Sequence, residues 1–323
     1  MASNLRKIAI VGEGIIGLTS ASRLLKKGYS VDIYSKDNKI TSMSAGAYWW
    51  PHRIYPEKRV SKWSAETYAE YKKCQSESNS GILFNEHFRF CVDSDESAYV
   101  RYLLDEWHEI EGEKYGIPCQ EAYRLIVPVI DVPVYMTYLK SLLETEGARF
   151  YQNELEHPSI LFPDYDLVVN CTGVWAHHFV NDKDVFPIRG QTVRVTLPEG
   201  LRESTRLYKK EDKFTLILPR TNDVILGGTA HEGDWNLEPN DADTSIIFEQ
   251  CSKLVPQIKN TKILGTTVGL RPGRKEVRLE LELINPEAPV VHNYGHGGGG
   301  FTVAWGCANE VGDIVDKYFS GSG

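Results

Sequence analysis

The sequence has no run approaching the roughly 20 consecutive apolar residues that a membrane-spanning helix needs, so no membrane partner is expected. Nothing near its start combines a basic stretch, an apolar stretch and a small-residue cleavage site, so no secretory leader is expected either. Basic residues are in deficit: 36 Lys and Arg stand against 44 Asp and Glu, a formal charge of −8 at pH 7. That balance argues against a nucleic-acid partner, which requires a concentrated basic surface. Cysteine is sparse, and Cys74, Cys91, Cys119, Cys171, Cys251 and Cys307 show neither C-x-x-C nor metal-ligand spacing. They read as reduced thiols of an intracellular, cytoplasmic protein with no metal site. The final Ser320-Gly321-Ser322-Gly323 is not the S-K-L type of peroxisomal address, and a peroxisomal location stays open only if Gly-Ser-Gly masks a natural end. A G-x-S-x-G turn and a recognisable Cys/His pair are also lacking, so the chemistry is expected to come from a cofactor.

What is present is a chain of 323 residues, 41% apolar and 25% charged, long enough for about two globular domains. Lys7-Ile8-Ala9-Ile10-Val11 reads as a buried strand that runs into Gly12-Glu13-Gly14-Ile15-Ile16-Gly17, a G-x-G-x-x-G opening a helix. The helix from Leu18 to Lys27 stops at Gly28, and Tyr29 to Tyr34 forms the next strand, which makes a βαβ unit and a parallel sheet. Gly12 suits the tight turn, Gly14 the approach of backbone N–H groups to a pyrophosphate, and Gly17 the packing of helix on strand. An acid at the end of the second strand would accept ribose hydroxyls, but Lys36 precedes Asp37 there, and Asp37 or the Ser35 hydroxyl takes that role in this reading.

Further along, small residues Ser44, Ala45 and Gly46 run into the aromatic block Tyr48-Trp49-Trp50-Pro51, which is either a flat wall beside a ligand or a buried corner. Helices are predicted over Lys62 to Lys73, Tyr99 to Glu111 and Val134 to Glu146, and strands near Ile82 to Val92. Leu167 to Trp175 is a buried strand opening into the small-residue turn Cys171-Thr172-Gly173. Thr192 to Leu197, Phe214 to Leu218 and Val224 to Leu226 alternate as antiparallel strands of a substrate-binding sheet. Arg271, Arg274 and Arg278 surround a Pro-Gly turn, where arginine can grip a carboxylate through two bonds or form ordinary surface pairs. A second glycine cluster, Gly297 to Gly300, precedes Phe301, Thr302 and a helix beginning near Ala304, whose positive end suits developing negative charge.

Taken together, the chain resembles the D-amino-acid oxidase family of flavoproteins over nearly its whole length. The resemblance rests on Val11 to Gly17, Ala45-Gly46 with Trp49 and Pro51, Val169 to Ala176, Arg189-Gly190-Gln191 and Leu226 to Thr229. Gly233-Asp234-Trp235-Asn236, Gly269 to Pro272 and His292 to Gly298 add to it. It implies an α/β fold with two discontinuous domains. An FAD-binding Rossmann-like domain with a parallel sheet would hold 1–75, 130–185 and 285–323. A mixed, largely antiparallel substrate domain would hold 76–129 and 186–284. The implied cofactor is FAD, on the first glycine turn and the Gly297 to Thr302 loop, and the implied partners are a D-amino acid and oxygen. Arg271 would hold the substrate carboxylate and the Gly298 carbonyl its amine, with Trp50 and Leu216 on the pocket wall.

Three departures from the family's pattern stand out. Leu216 occupies the place of a tyrosine that assists the arginine, and Asp212 falls near a lid tyrosine, for which Tyr208 is a stand-in. Ala230 and Lys209 replace the extra arginines of D-aspartate oxidases, leaving His231, Lys209, Arg53 or His52 to provide positive charge. An oxidase of glycine, sarcosine or another small amine is the alternative, as is a flavin-binding relative without turnover. A homo-oligomer is compatible with the sequence.

Overall fold

Ile8, Ala9 and Ile10 are 0% exposed, as a strand covered on both faces requires. In the computed structural model, which describes residues 5–36, 40–52, 54–77, 79–92, 98–201, 204–210, 213–284 and 288–321, that strand is central in a sheet. The chain begins with β1 (Lys7–Val11), α1 (Ile15–Lys26), β2 (Ser30–Ser35), β3 (Ala47–Tyr48) and α2 (Glu57–Gln75). β4 (Ile82–Cys91), β5 (Trp107–Glu109) and β6 (Glu121–Ile130) follow. α3 (Val132–Thr145) leads to β7 (Arg149–Gln152), β8 (Leu167–Asn170) and the single-turn α4 (Ala176–Phe179). Next come β9 (Phe186–Thr196), β10 (Ser204–Lys210), β11 (Lys213–Pro219), β12 (Asp223–Gly227), β13 (His231–Glu232) and α5 (Asp241–Leu254). β14 (Ile263–Gly273), β15 (Arg278–Leu283), β16 (Pro289–Tyr294) and α6 (Gly300–Phe319) close it.

Two sheets result. The six-stranded one runs β15-β16-β8-β1-β2-β7, parallel throughout except for the β15–β16 pair. The ten-stranded one follows β13-β9-β12-β11-β10-β4-β6-β3, with β14 on β9 and β5 on β6, and is mostly antiparallel, β10–β4 being a parallel pair. The fold is therefore α/β with a parallel sheet and a mixed one. On the first sheet, Leu18, Ala21 and Leu24 of α1 and Val303, Ala304, Cys307 and Val311 of α6 bury a continuous apolar layer. Each buried Leu or Val among them contributes about 1.5–3 kcal/mol by leaving water. α2 and α6 cross in backbone contact: a Cβ on Gly306 would lie 2.3 Å from Trp63 Cα. Wedged between α1 and α2, α6 holds its N-terminus in a fixed place.

Some local expectations change. The predicted helix from Tyr99 to Glu111 is a 3-10 turn at Ala98–Leu103 followed by β5. Trp107 packs at 4.4 Å on Tyr123 of β6, and the Ile110 N–H donates to Ala122 O, so edge pairing outcompetes helix formation. α5 has no counterpart in the sequence reading; Asn240 caps it by accepting from the N–H groups of Ala242 and Asp243. α6 starts at Gly300, four residues before the expected Ala304. The sheets exchange between Gly273 and Arg278, ahead of the expected domain boundary at 284, because β15 pairs with β16. β3, from the segment assigned to the first domain, joins the second sheet through β6.

Candidate active site

The carboxyl ends of β1, β2 and β8 open into a cavity of about 1230 Å³ that continues beneath the ten-stranded sheet. Ligands of open parallel sheets sit at such strand ends, where the strand order reverses. The volume exceeds the roughly 300–1000 Å³ of an ordinary small-molecule site and suits an extended ligand with a small substrate beside it.

At the strand ends the three glycines have different work. Gly12 has φ +118°, and a Cβ there would lie 2.3 Å from Cys171 O; on Gly17 it would lie 1.8 Å from Gly12 O. Both keep β1, β8 and α1 close to one another. Gly14 differs, since its Cβ would only approach Ser42 Oγ at 3.2 Å, and it lines the cavity as the extended N-cap residue of α1. No acid lies in the first turn of α1, and Ser42 Oγ accepts from the Ile15 N–H at 3.1 Å; the positive helix end faces the cavity beside Ile15 and Ile16. Gly12, Cys171, Thr172 and Gly173 also line this end, and burial pushes the Cys171 thiol up to about 12, so it stays protonated.

Beyond β2, Ser35 donates through Oγ to Glu13 Oε2 at 2.9 Å, and Lys140 Nζ donates to Glu13 Oε1 at 2.6 Å. Lys36 pairs with Glu154 and lies 6.0 Å from the Trp175 ring centre; all three line the cavity. Asp37 lies outside the described residues.

At the other end Gly297, Gly298, Gly300 and Phe301 line the cavity at the start of α6, which likewise has no acid in its first turn. A Cβ on Gly298 would lie 2.8 Å from His52 Cδ2, so the loop packs against the aromatic block. Gly299 and Thr302 do not line the cavity: Thr302 Oγ1 donates to Trp50 O at 2.8 Å and accepts from Trp50 N–H at 3.1 Å, tying α6 to that block. Trp49, 0% exposed, donates its indole N–H to Ser64 O and belongs to the core, whereas Ser44, Ala45, Gly46, Trp50 and His52 line the cavity. His296, also lining it, is fully enclosed; burial holds its pKa down at about 3, and its Nε2 has no hydrogen-bond partner.

The ten-stranded sheet forms the remaining wall. Strand alternation turns Leu207 and Lys209 toward the cavity and leaves Tyr208 on the other face, so Tyr208 does not stand in for a lid tyrosine. Asp212 and Arg53 lie outside the described residues. Leu216 faces the cavity next to Leu207, and Phe214 packs 5.6 Å from the His52 ring. Arg271 reaches it across Gly190, where a Cβ would come within 2.3 Å of its Nη1, and donates to Thr229 O at 3.1 Å. Arg274 and Arg278 turn away into ion pairs with Asp182, Glu280 and Glu282. His231 is exposed, 3.6 Å from Asp243, and does not line the cavity. The sequence reading missed Arg89, buried and 4.2 Å from the Trp50 ring, and the Glu13–Lys140 pair. Arg89's place in an alternating strand was the available signal.

These features define a flavin enzyme, and the chain belongs to the FAD dependent oxidoreductase family, whose model matches residues 7–314. Among its relatives, the D-amino-acid oxidase of Rubrobacter xylanophilus is 37% identical over 317 residues, 97% of each chain. The D-amino-acid oxidase of Dictyostelium discoideum is 36% identical, covering 96% of this chain and 91% of its own length. The D-aspartate oxidase of Homo sapiens is 29% identical over 96% of this chain and 95% of its own. The glycine oxidase of Bacillus cereus, at 17% identity with 96% of both chains covered and a TM-score of 0.79, shares the fold. The residues present fit FAD: two helix N-termini with no acid in the first turn face one cavity, Gly14 leaves the phosphate slot open, and His296, whose Nε2 has no hydrogen-bond partner among the described residues, lines the far end.

Proposed function

We propose that this protein is a D-amino-acid oxidase that converts a D-amino acid, oxygen and water to a 2-oxo acid, ammonia and hydrogen peroxide. The observation that carries the reading is Arg271, a guanidinium in the cavity below the N-terminus of α6, with Gly190 making room for it. Support also comes from the relatives named D-amino-acid oxidase, which match end to end.

The chemistry FAD supplies when bound is uptake of a hydride from Cα and passage of the electrons to oxygen. The protein's part is orientation and electrostatics. Gly12, Gly14, Ile15 and Ile16, with Cys171, Thr172 and Gly173, are assigned to the phosphate side of the cofactor, and Gly297, Gly298, Gly300 and Phe301 to its reactive side. Arg271 grips the substrate carboxylate through its planar fork. The Gly298 carbonyl accepts from the amine. Leu216, Trp50 and Phe214 exclude water around Cα, and hydride transfer from an oriented substrate requires no side-chain base. Lys209 and His52 face the substrate side chain.

A peroxide-coupled screen of D- and L-amino acids, glycine and sarcosine on FAD-loaded protein tests the reading. D-amino acids should turn over and bleach the flavin anaerobically. Turnover of glycine or sarcosine alone, or of L-amino acids alone, overturns it.

A further inference from the structure

The end of β2, where dinucleotide-binding sheets place the acid that accepts the ribose hydroxyls, carries Ser35 and then Lys36. Neither is an acid, Lys36 is engaged with Glu154, and Asp37 beyond them lies outside the described residues. A carboxylate nevertheless stands at this spot. Glu13, the residue between the first two glycines of the turn, lines the cavity with its side chain 12% exposed and accepts from Ser35 Oγ at 2.9 Å. Its other oxygen accepts from Lys140 Nζ of α3 at 2.6 Å. A carboxylate has about four acceptor positions, and these two bonds leave two for a cis-diol.

We propose that Glu13 is the ribose acceptor of this enzyme, placing the acid on the glycine turn instead of the second strand, with Ser35 orienting it and Lys140 balancing its charge. The proposal rests on FAD lying with its pyrophosphate at Gly14. The logic is electrostatic. An uncompensated carboxylate next to the slot would repel a pyrophosphate, and one neutralised from behind by Lys140 does not, so it can accept from the 2′- and 3′-hydroxyls while α1 holds the phosphates. The position between the first two glycines thereby acquires a ligand role here. A merely structural Glu13, tying α3 to the turn, would make the same two protein contacts but would be blind to the ribose.

The test is a binding cycle on apoprotein, read by flavin fluorescence, with FAD and an FAD analogue whose adenosine ribose lacks both hydroxyls. Hydrogen bonds to a charged group are worth about tenfold to a hundredfold in affinity. The analogue should bind wild type weaker than FAD by about that factor. Glu13→Ala should lose the same factor for FAD and almost none for the analogue, and Glu13→Gln should fall between. Equal binding of FAD and the analogue by wild type overturns the proposal without recourse to any variant, as does equal weakening of both ligands by Glu13→Ala. Gly14→Val addresses the placement beneath it: loss of both ligands supports the slot, and unchanged FAD affinity overturns slot and ribose contact together.

Discussion

The two ends of the cavity are built by opposite means. At the end proposed for the phosphates the wall is mainly the backbone of one turn, Gly12 to Ile16, at the start of α1, with Gly14 keeping side-chain bulk out of it. The end proposed for the substrate is lined by side chains from separate segments: Trp50, Lys209, Leu216 and Arg271, carried by a loop and three strands. Backbone recognition reads the shape and charge of a constant group and tolerates little sequence change. Side-chain recognition is adjustable, and two of the departures from the family's pattern read in the sequence, Leu216 and Lys209, line this wall.

The sharpest way to break this comparison is at Gly12. With φ +118° and 2.3 Å between a built Cβ and Cys171 O, Gly12→Ala forces backbone apart, and strain of this kind costs about 1–3 kcal/mol before the steric overlap is counted. Apoprotein melting should fall by several degrees or soluble protein should be lost. Gly14→Ala is the control, because its Cβ meets no backbone, only the side-chain atoms Ser42 Oγ at 3.2 Å and Ile40 Cγ2 at 3.6 Å. Its apoprotein should melt near wild type while FAD affinity drops at least tenfold; an unchanged affinity would detach the phosphates from α1.

Next in size is Arg271→Ala. Removing one partner of an enclosed ion pair costs about 2–5 kcal/mol, or about 30-fold to several-thousand-fold in kcat/KM. FAD affinity should stay within a few-fold of wild type. Arg271→Lys should recover only part of the loss, since an ammonium lacks the planar fork. Near-normal kinetics in Arg271→Ala would move the carboxylate site elsewhere.

The ends also differ in protonation. His296 has its pKa held down at about 3 by burial, and His292 is lowered for the same reason, with Arg278 adding to it. Between about pH 3 and 6.5 the unfolded chain therefore binds more protons at His296 than the folded one, so this stabilisation is complete above about pH 6.5 and is lost as pH falls toward the folded value, with His292 acting in the same direction. The slope approaches about 1.4 kcal/mol per pH unit for each proton. Melting temperature should fall from pH 6.5 to 4.5, a window above most carboxylate titration, and His296→Gln should flatten the curve. An equally steep curve in that variant would place the titrating group elsewhere.

How much was legible follows from the same contrast. The βαβ unit, both glycine clusters and Arg271 were readable because each depends on neighbours in sequence: glycines where backbone must approach, an apolar run where a strand is covered. Glu13 was not, because its role exists only once β2 and α3 are folded against the turn. Tyr208 failed for a related reason: spacing placed it near the pocket, but alternation turns its neighbours Leu207 and Lys209 inward instead. Trp49 and Trp50, adjacent in sequence, part company, one into the core and one onto the wall.

A smaller effect is expected at Leu216. Buried at 5% exposure and facing the cavity, it lies in register with Gly227, whose missing Cβ would sit 3.6 Å from Leu216 Cβ. Leu216→Tyr adds a hydroxyl toward the substrate carboxylate, and one net hydrogen bond is worth about 1 kcal/mol, so KM for a D-amino acid should fall about three- to tenfold with kcat little changed. A rise in KM would mean that the wall has no room for the ring.

The smallest expected effect separates charge that faces the cavity from charge that only lies near it in sequence. His231 follows the Gly227-Gly228-Thr229 turn, which is why the sequence suggests a place beside the substrate, yet it is exposed, sits 3.6 Å from Asp243 and pairs in β13 with Arg189 of β9. An exposed pair of this sort is worth at most about 1 kcal/mol and is screened by salt. His231→Ala should therefore leave kcat/KM within twofold for every D-amino acid. Lys209→Ala, from a residue that lines the cavity, should change the ratio between acidic and neutral D-amino acids. If His231→Ala alters that ratio and Lys209→Ala does not, the substrate wall lies on the β13 side of the sheet, and the contrast between an adjustable side-chain wall and a fixed backbone end would have to be drawn from a different set of strands.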